Sequence, residues 1–277
     1  MKKYFAISSI IAVILLMIGG IGLLATGEAF RGFSFSSNGF DFKEESKSIT
    51  EEIEVSNNNI NFNLNIPNTK LEVYSGTVDK VKINCWYNDD NDKFIIEKTD
   101  DTISITRKDN NIISINLFGL TDIAGTVEII IPERLIGNYK VDATNGSIEI
   151  EDIKAGDIEI DTTNGNFEIS DVTSDGEIKI DTSNGRIVAS DLNAKSINFE
   201  TTNGVVNVEN IKSDNIKVRT TNGFIKVNDC YSKDVTLRTT NGAIILENED
   251  REYQIENLDV ETTNGTEKIN ANYKNRK

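Results

Sequence analysis

Few side chains in this sequence are equipped for chemistry, and those few are arranged periodically. The 277 residues include no histidine, which excludes an imidazole base, Ser-His-Asp and Cys-His nucleophiles, and His-ligated zinc. In their place stands a column of charge, Asp142, Asp161, Asp181, Glu200, Arg219, Arg238 and Glu261, spaced 19 to 23 residues apart. Neighbouring carboxylates suit a hard cation such as Ca²⁺, which takes oxygen ligands. Asp181, Glu200 and Arg219 together are also what a carbohydrate-active enzyme built on stacked strands would use. Three features count against both. Carboxylates one strand apart in open solvent rarely form a tight cage, the glycine-rich nonapeptide of calcium-binding β-rolls is absent, and the loops are too short to wall a cleft. The column therefore reads as a solvated charged face. No residue is assigned a catalytic, cofactor-binding or metal-ligating role, and no cofactor is expected.

Just after this column comes a second regularity, Thr or Ser followed by Asn-Gly, with Asn at 145, 164, 184, 203, 222, 241 and 264. Regular threonines on a flat face can order water or meet glycans, but the two Thr of each pair are adjacent, so only one faces solvent along a strand. The Asn column has an explanation without a ligand. Stacked amides hydrogen-bond along an axis, Asn tolerates left-handed backbone, and the following Gly permits positive φ at a corner. The remaining reactive groups are Cys85 and Cys230. Cys230 shares the apolar column of Ile153, Val172, Leu192 and Ile211 and reads as a small buried hydrophobe; a disulfide between the two stays open.

The elements that position these columns follow from alternation. Tyr139, Ile158, Ile178, Ile197, Ile216, Val235 and Leu258 are each followed two residues later by another apolar side chain, with a mostly polar residue between. Alternation resumes after Asn-Gly, as in Ile148/Ile150, Phe167/Ile169 and Ile225/Val227, so each repeat holds two half-buried strands joined at the corner. Two such strands cannot bury a core alone; stacking equivalent coils does. The expected fold is all-β: a β-solenoid of about seven 19–20-residue coils over residues 139–277, with equivalent strands parallel, in register and about 4.8 Å apart. A meander of Asn-Gly hairpins is the competing arrangement. The last coil departs from the pattern, with Glu267 at an inward position, as a solenoid end needs to resist stacking on another. Residues 249–253 read as a loop insertion.

Residues 49–138 read as an irregular β region continuous with the solenoid and capping it, with strands at 60–66, 71–73, 81–83, 102–106, 112–117 and 127–131. Residues 28–48, with Phe30, Phe33, Phe35, Phe40 and Phe42, read as a juxtamembrane linker whose aromatics meet the lipid interface or the first strands. Residues 1–27 read as an N-terminal transmembrane anchor: after Lys2 and Lys3, Tyr4 to Leu24 is uncharged, and as a helix it spans about 31 Å. A signal peptide is the alternative, with a weak cleavage site at Ala25-Thr26-Gly27. Lys2 and Lys3 place the amino terminus in the cytoplasm and the remainder outside, a single-pass protein of the cell membrane. The net charge of −16 argues against nucleic acid as a partner. Residues 139–277 contribute −10 of it, sixteen Lys and Arg against 26 Asp and Glu.

From Val127-Glu128-Ile129-Ile130-Ile131-Pro132-Glu133 through the repeated hydrophobic-x-hydrophobic-x-Thr-Thr-Asn-Gly units, the chain resembles bacterial membrane-anchored proteins of the putative-adhesin β-strand-repeat family, a domain of unknown function. Many relatives have Thr-Thr-Ser-Gly-Asp-Ile at this corner. The resemblance covers roughly 50–270 and implies a repetitive β architecture at the cell envelope without a defined activity. The expected function is a non-enzymatic, membrane-anchored, extracytoplasmic interaction or adhesion module for an unidentified surface ligand, whether glycan, cell wall or protein. Two alternatives stay open: an extracytoplasmic component of an envelope-stress signalling system, partnered by a membrane signalling protein, and a carbohydrate-active β-helix enzyme.

Overall fold

The structure, a computed structural model, describes residues 33–36, 39–42, 47–88, 92–108, 125–250 and 252–277. The expected membrane helix at 4–24 and the expected strand at 112–117 lie outside the described residues. Among the described residues no helix is long and apolar enough to cross a membrane. The chain forms two compact units, Met1–Glu45 and Ser46–Lys277. The first contains an antiparallel hairpin, Phe33–Ser36 with Gly39–Phe42, within the segment read as a linker.

The second unit is a β-solenoid. Ile158, Ile178, Ile197, Ile216, Val235 and Leu258 pair rung upon rung, all parallel and in register. Phe167, Ile187, Val206, Ile225 and Ile244 do the same after the corner. A third short run stacks Val172, Leu192, Ile211 and Cys230. Alternation along each strand sends these side chains inward, where nearly all are at most 3% exposed. Parallel pairing rules out the hairpin meander. The seven Asn-Gly corners bound about six full turns, one fewer than the corners themselves.

The stack does not begin at residue 139. The strands Asn59–Asn65 and Thr69–Gly76 form a further coil directly beneath the first repeat, with Tyr139 on Phe62, Val141 on Leu64 and Ile148 on Leu71. The Phe62 and Tyr139 rings lie stacked 5.0 Å apart. Beneath that coil, again parallel, lie Thr102–Arg107 and Gly125–Pro132, with Ile103 under Phe62 and Val127 under Leu71. The bottom coil is therefore written after the one above it. Antiparallel strands complete this end: Phe94–Thr99 beside Thr102–Arg107, Val81–Tyr87 beside Gly125–Pro132, and Lys47–Ile53 outermost.

Arg107 locks the base. Its guanidinium is almost fully buried against Asp92, donates to the Pro67 carbonyl at 3.1 Å and to the Asn68 carbonyl, and lies 5.4 Å from the centre of the Phe94 ring. At the other end Glu267 takes the place above Ile244 and Arg276 the place above Leu258. These two inward positions, apolar in the coils below, hold an ion pair across the top of the core. Residues 248–250, 252 and 253 carry no strand, and where the chain leaves the stack Asn248 turns its amide inward. It accepts from the Cys230 amide and donates to the Cys230 carbonyl, both at 2.9 Å.

Candidate functional site

The Thr-Asn-Gly corner assembles from three columns with separate tasks. Each Asn amide donates to the Asn oxygen one coil below in an unbroken ladder, from Asn264 on Asn241 at 2.9 Å down to Asn164 on Asn145 at 2.8 Å. The base of the ladder is Asn68, which accepts from Asn145 at 2.5 Å. In the upper four corners the inner Thr, from Thr201 to Thr262, turns into the core edge and donates to the corner glycine carbonyl below, as Thr220 does to Gly204 at 3.2 Å and Thr239 to Gly223 at 3.1 Å. Thr182 is as buried as these and its hydroxyl has no partner. Glycine is required because the backbones nearly touch: a Cβ on Gly204 would collide with the Gly185 carbonyl oxygen, and one on Gly223 with that of Gly204.

That arrangement corrects the backbone role expected for these residues. None of the Asn in the seven Asn-Gly corners has positive φ, although Asn68 at the base of the ladder does, at +52°; of the corner glycines only Gly146 does, at +139°. Within the repeats the left-handed non-glycine residues form a different column, Asp152, Asp171, Asp191, Asn210 and Asp229, with φ between +49° and +55°. They turn the chain between the second and third runs of each coil. Their short polar side chains tolerate a conformation that most residues avoid.

Outside the ladder the outer hydroxyls, Thr202, Thr221, Thr240 and Thr263, edge a shallow open depression of about 420 Å³. Its floor is the charged column from Asp181 through Glu200, Arg219 and Arg238 to Glu261, and Asp161 continues that column in register one rung below. Most charges here have neighbours. Lys179 donates to Glu159 at 2.8 Å, Lys217 to Glu200, and Arg238 to Asp259 at 2.6 Å. Lys179, and secondarily Lys140, hold the Glu159 carboxyl below its ordinary pKa. Partial burial, followed by the charges of Glu200 and Asp161, pushes the Asp181 carboxyl up. Arg219 makes no ion pair or hydrogen bond among the described residues and sits between Glu200 and Arg238, its planar fork available to an oxygen-rich ligand.

The structure thus brings Asp181, Glu200 and Arg219 onto consecutive rungs, as their spacing required. They lie on an open face, with the sealed core behind them. Among the described residues no three acidic or cysteine side chains gather as a metal site. Cys85 and Cys230 are free and buried, and burial pushes their thiols up to about 12 and about 11. The left-handed Asp column and Arg107 escaped the sequence reading. The Asp column repeats with the same 19-residue period as Asn-Gly and was legible there, whereas nothing local marks Arg107.

The family described as Toastrack DUF4097 matches residues 57–277, and the chain belongs to it. None of the curated proteins matches the sequence. Similar solved structures include a "putative adhesin" from Bacteroides fragilis, 14% identical, with TM-score 0.49, over 83% of this chain and 97% of that one. A "putative cell adhesion protein" from Clostridium sporogenes is 13% identical with TM-score 0.38, over 84% and 100%. A "putative adhesin" from Parabacteroides merdae is 12% identical with TM-score 0.37, over 83% and 95%.

Proposed function

We propose that this member of the Toastrack family is a non-enzymatic interaction module, held at the cell membrane by residues 1–27 and displayed outside the cell. Its contact surface is the face carrying the charged column. The observation that carries this reading is a division of labour at the corner. Asn and Gly repeat without change through all seven corners, and the inner Thr through all but the first, where Ala143 stands, because they hold the stack. The outward column beside them changes from Asp161, Asp181 and Glu200 to Arg219 and Arg238, although stacking does not demand it. A uniform acidic face would serve solubility alone; an uncommitted arginine beside outer threonine hydroxyls offers donors to an oxygen-rich polymer such as a glycan or cell-wall chain.

Cells expressing the full chain test this with purified cell-wall fragments and a set of soluble glycans as probes. Binding is expected, with at least about a tenfold loss in R219E/R238E, corresponding to two lost charge-assisted contacts. A full chain that binds none of the probes, or binds equally well with both arginines reversed, contradicts the reading. Release of shortened polymer from the same probes, abolished by D181A/R219A, would favour the enzyme instead.

A further inference from the structure

The face formed by the second strand of each coil has an outward pattern that stacking does not explain. Each rung presents three outward residues. In the lower rungs they are Ser147, Glu149 and Glu151, then Asn166, Glu168 and Ser170. In the next four they become Arg186, Val188 and Ser190; Val205, Asn207 and Glu209; Phe224, Lys226 and Asn228; Ala243, Ile245 and Glu247. The last rung holds Thr266, Lys268 and Asn270. The pairing register fixes these rows from Glu168 to Lys268. Val188, Val205, Phe224, Ala243 and Ile245 are thus neighbours in one patch on a flat sheet; Val205 is 37% exposed and the others are half-buried. A soluble surface rarely keeps contiguous apolar side chains without an occupant.

We propose that this patch is a two-fold contact between two copies of the chain. The pattern complements itself under one operation. A two-fold axis running along the strands, between the Val205 and Phe224 rungs, reverses the order of rungs and keeps each column facing its own kind. Val205 then meets Phe224 of the second copy, Val188 meets Ile245, and Asn207 meets Lys226. At the margin Glu168 meets Lys268, which in its own copy also donates to Glu247 at 2.5 Å, and symmetry repeats every contact. The acidic rung below the patch and the basic rung above it are equally far from the axis, so each lands on the other. A membrane surface would meet the Lys268 margin but would set Glu168 and Glu149 against lipid headgroups, and so fits less well. Six rungs at about 4.8 Å and three outward residues per rung cover about 500 Å² per copy, or about 1,000 Å² in total. That is the lower bound for a specific interface, so the dimer is weak and reversible.

Zero-length carbodiimide cross-linking of the full chain in expressing cells tests this. In one copy Glu168 and Lys268 lie five rungs, about 24 Å, apart, so an amide bond between them can form only between copies. The expected result is a dimer-sized product containing the 168–268 link. It should fall at least about tenfold in F224E and in either E168K or K268E alone, and return to within about threefold of wild type in E168K/K268E, where the charges are exchanged. The double exchange also guards against misfolding, because a damaged fold would not recover when a second substitution is added. Absence of the link, a link that survives F224E, or no recovery in the exchanged pair overturns the proposal. Sedimentation of the full chain with anionic phospholipid vesicles, lost in F224E and unaccompanied by the link, assigns the patch to a membrane instead.

Discussion

The two ends of the solenoid solve one problem by opposite means. A stack of coils leaves apolar columns and unpaired strand edges at each terminus. At the base the chain adds antiparallel strands, Lys47–Ile53, Val81–Tyr87 and Phe94–Thr99, and buries an Arg107–Asp92 ion pair that also holds the carbonyls of Pro67 and Asn68. At the top it changes side chains only, replacing Ile and Leu of the inward columns with Glu267 and Arg276. The base is welded into the core, whereas the top is a removable polar cover over a sheet that would otherwise continue.

That contrast sets the order of the expected effects. R107A should cost the most, about 3–5 kcal/mol in denaturant unfolding, because it leaves Asp92 with a largely buried, uncompensated charge. E267L/R276L should change unfolding by less than about 1 kcal/mol, as an exposed ion pair contributes little. It should, however, make the protein self-associate with rising concentration in light scattering, since the apolar columns then run to the end of the stack. If R107A is as mild as the top substitution, the base is not welded.

Smaller effects separate coils within the stack. T239V should lose about 1 kcal/mol with its bond to the Gly223 carbonyl. T182V should cost nothing or stabilise, because that buried hydroxyl has no partner; paired thermal melts of the two variants check the difference. The smallest effect is at Asp181. Its folded pKa is raised, so its ionised form is disfavoured by folding, a cost present at neutral pH and absent below the ordinary carboxylate pKa. D181N should therefore raise the melting temperature slightly at pH 7 and not at pH 3.

The same contrast explains what could be read from the sequence. The repeat coils were legible because one period fixes both the inward columns and the corner, and Glu267 stood out as a break in a column already known. Strand positions in 49–138 were largely legible by alternation: 60–66 and 127–131 fall within Asn59–Asn65 and Gly125–Pro132 to within a residue. Their place in the stack was not. The coil beneath the repeats turns at Pro67-Asn68-Thr69 instead of Thr-Asn-Gly, and its neighbour below is written out of order. Pairing over such separations leaves no local pattern. At the candidate site the charged column was legible residue by residue. The apolar patch on the other face was hidden because Val188, Val205, Phe224 and Ile245 occupy positions that alternation assigns to polar residues, so only the stacked register brings them together.

The central claim is that one in-register stack runs from the irregular amino-terminal strands through the repeats, on which the variable outward columns are displayed. Disulfide formation in N68C/N145C tests it most directly. These positions are adjacent rungs of the Asn ladder, about 4.8 Å apart and within disulfide range, while Cys85 and Cys230 are buried. The account predicts an intramolecular disulfide under mild oxidation in N68C/N145C and none in N68C/N184C, whose positions are separated by two further rungs. No bond in the first variant, or equal bonding in both, would contradict it.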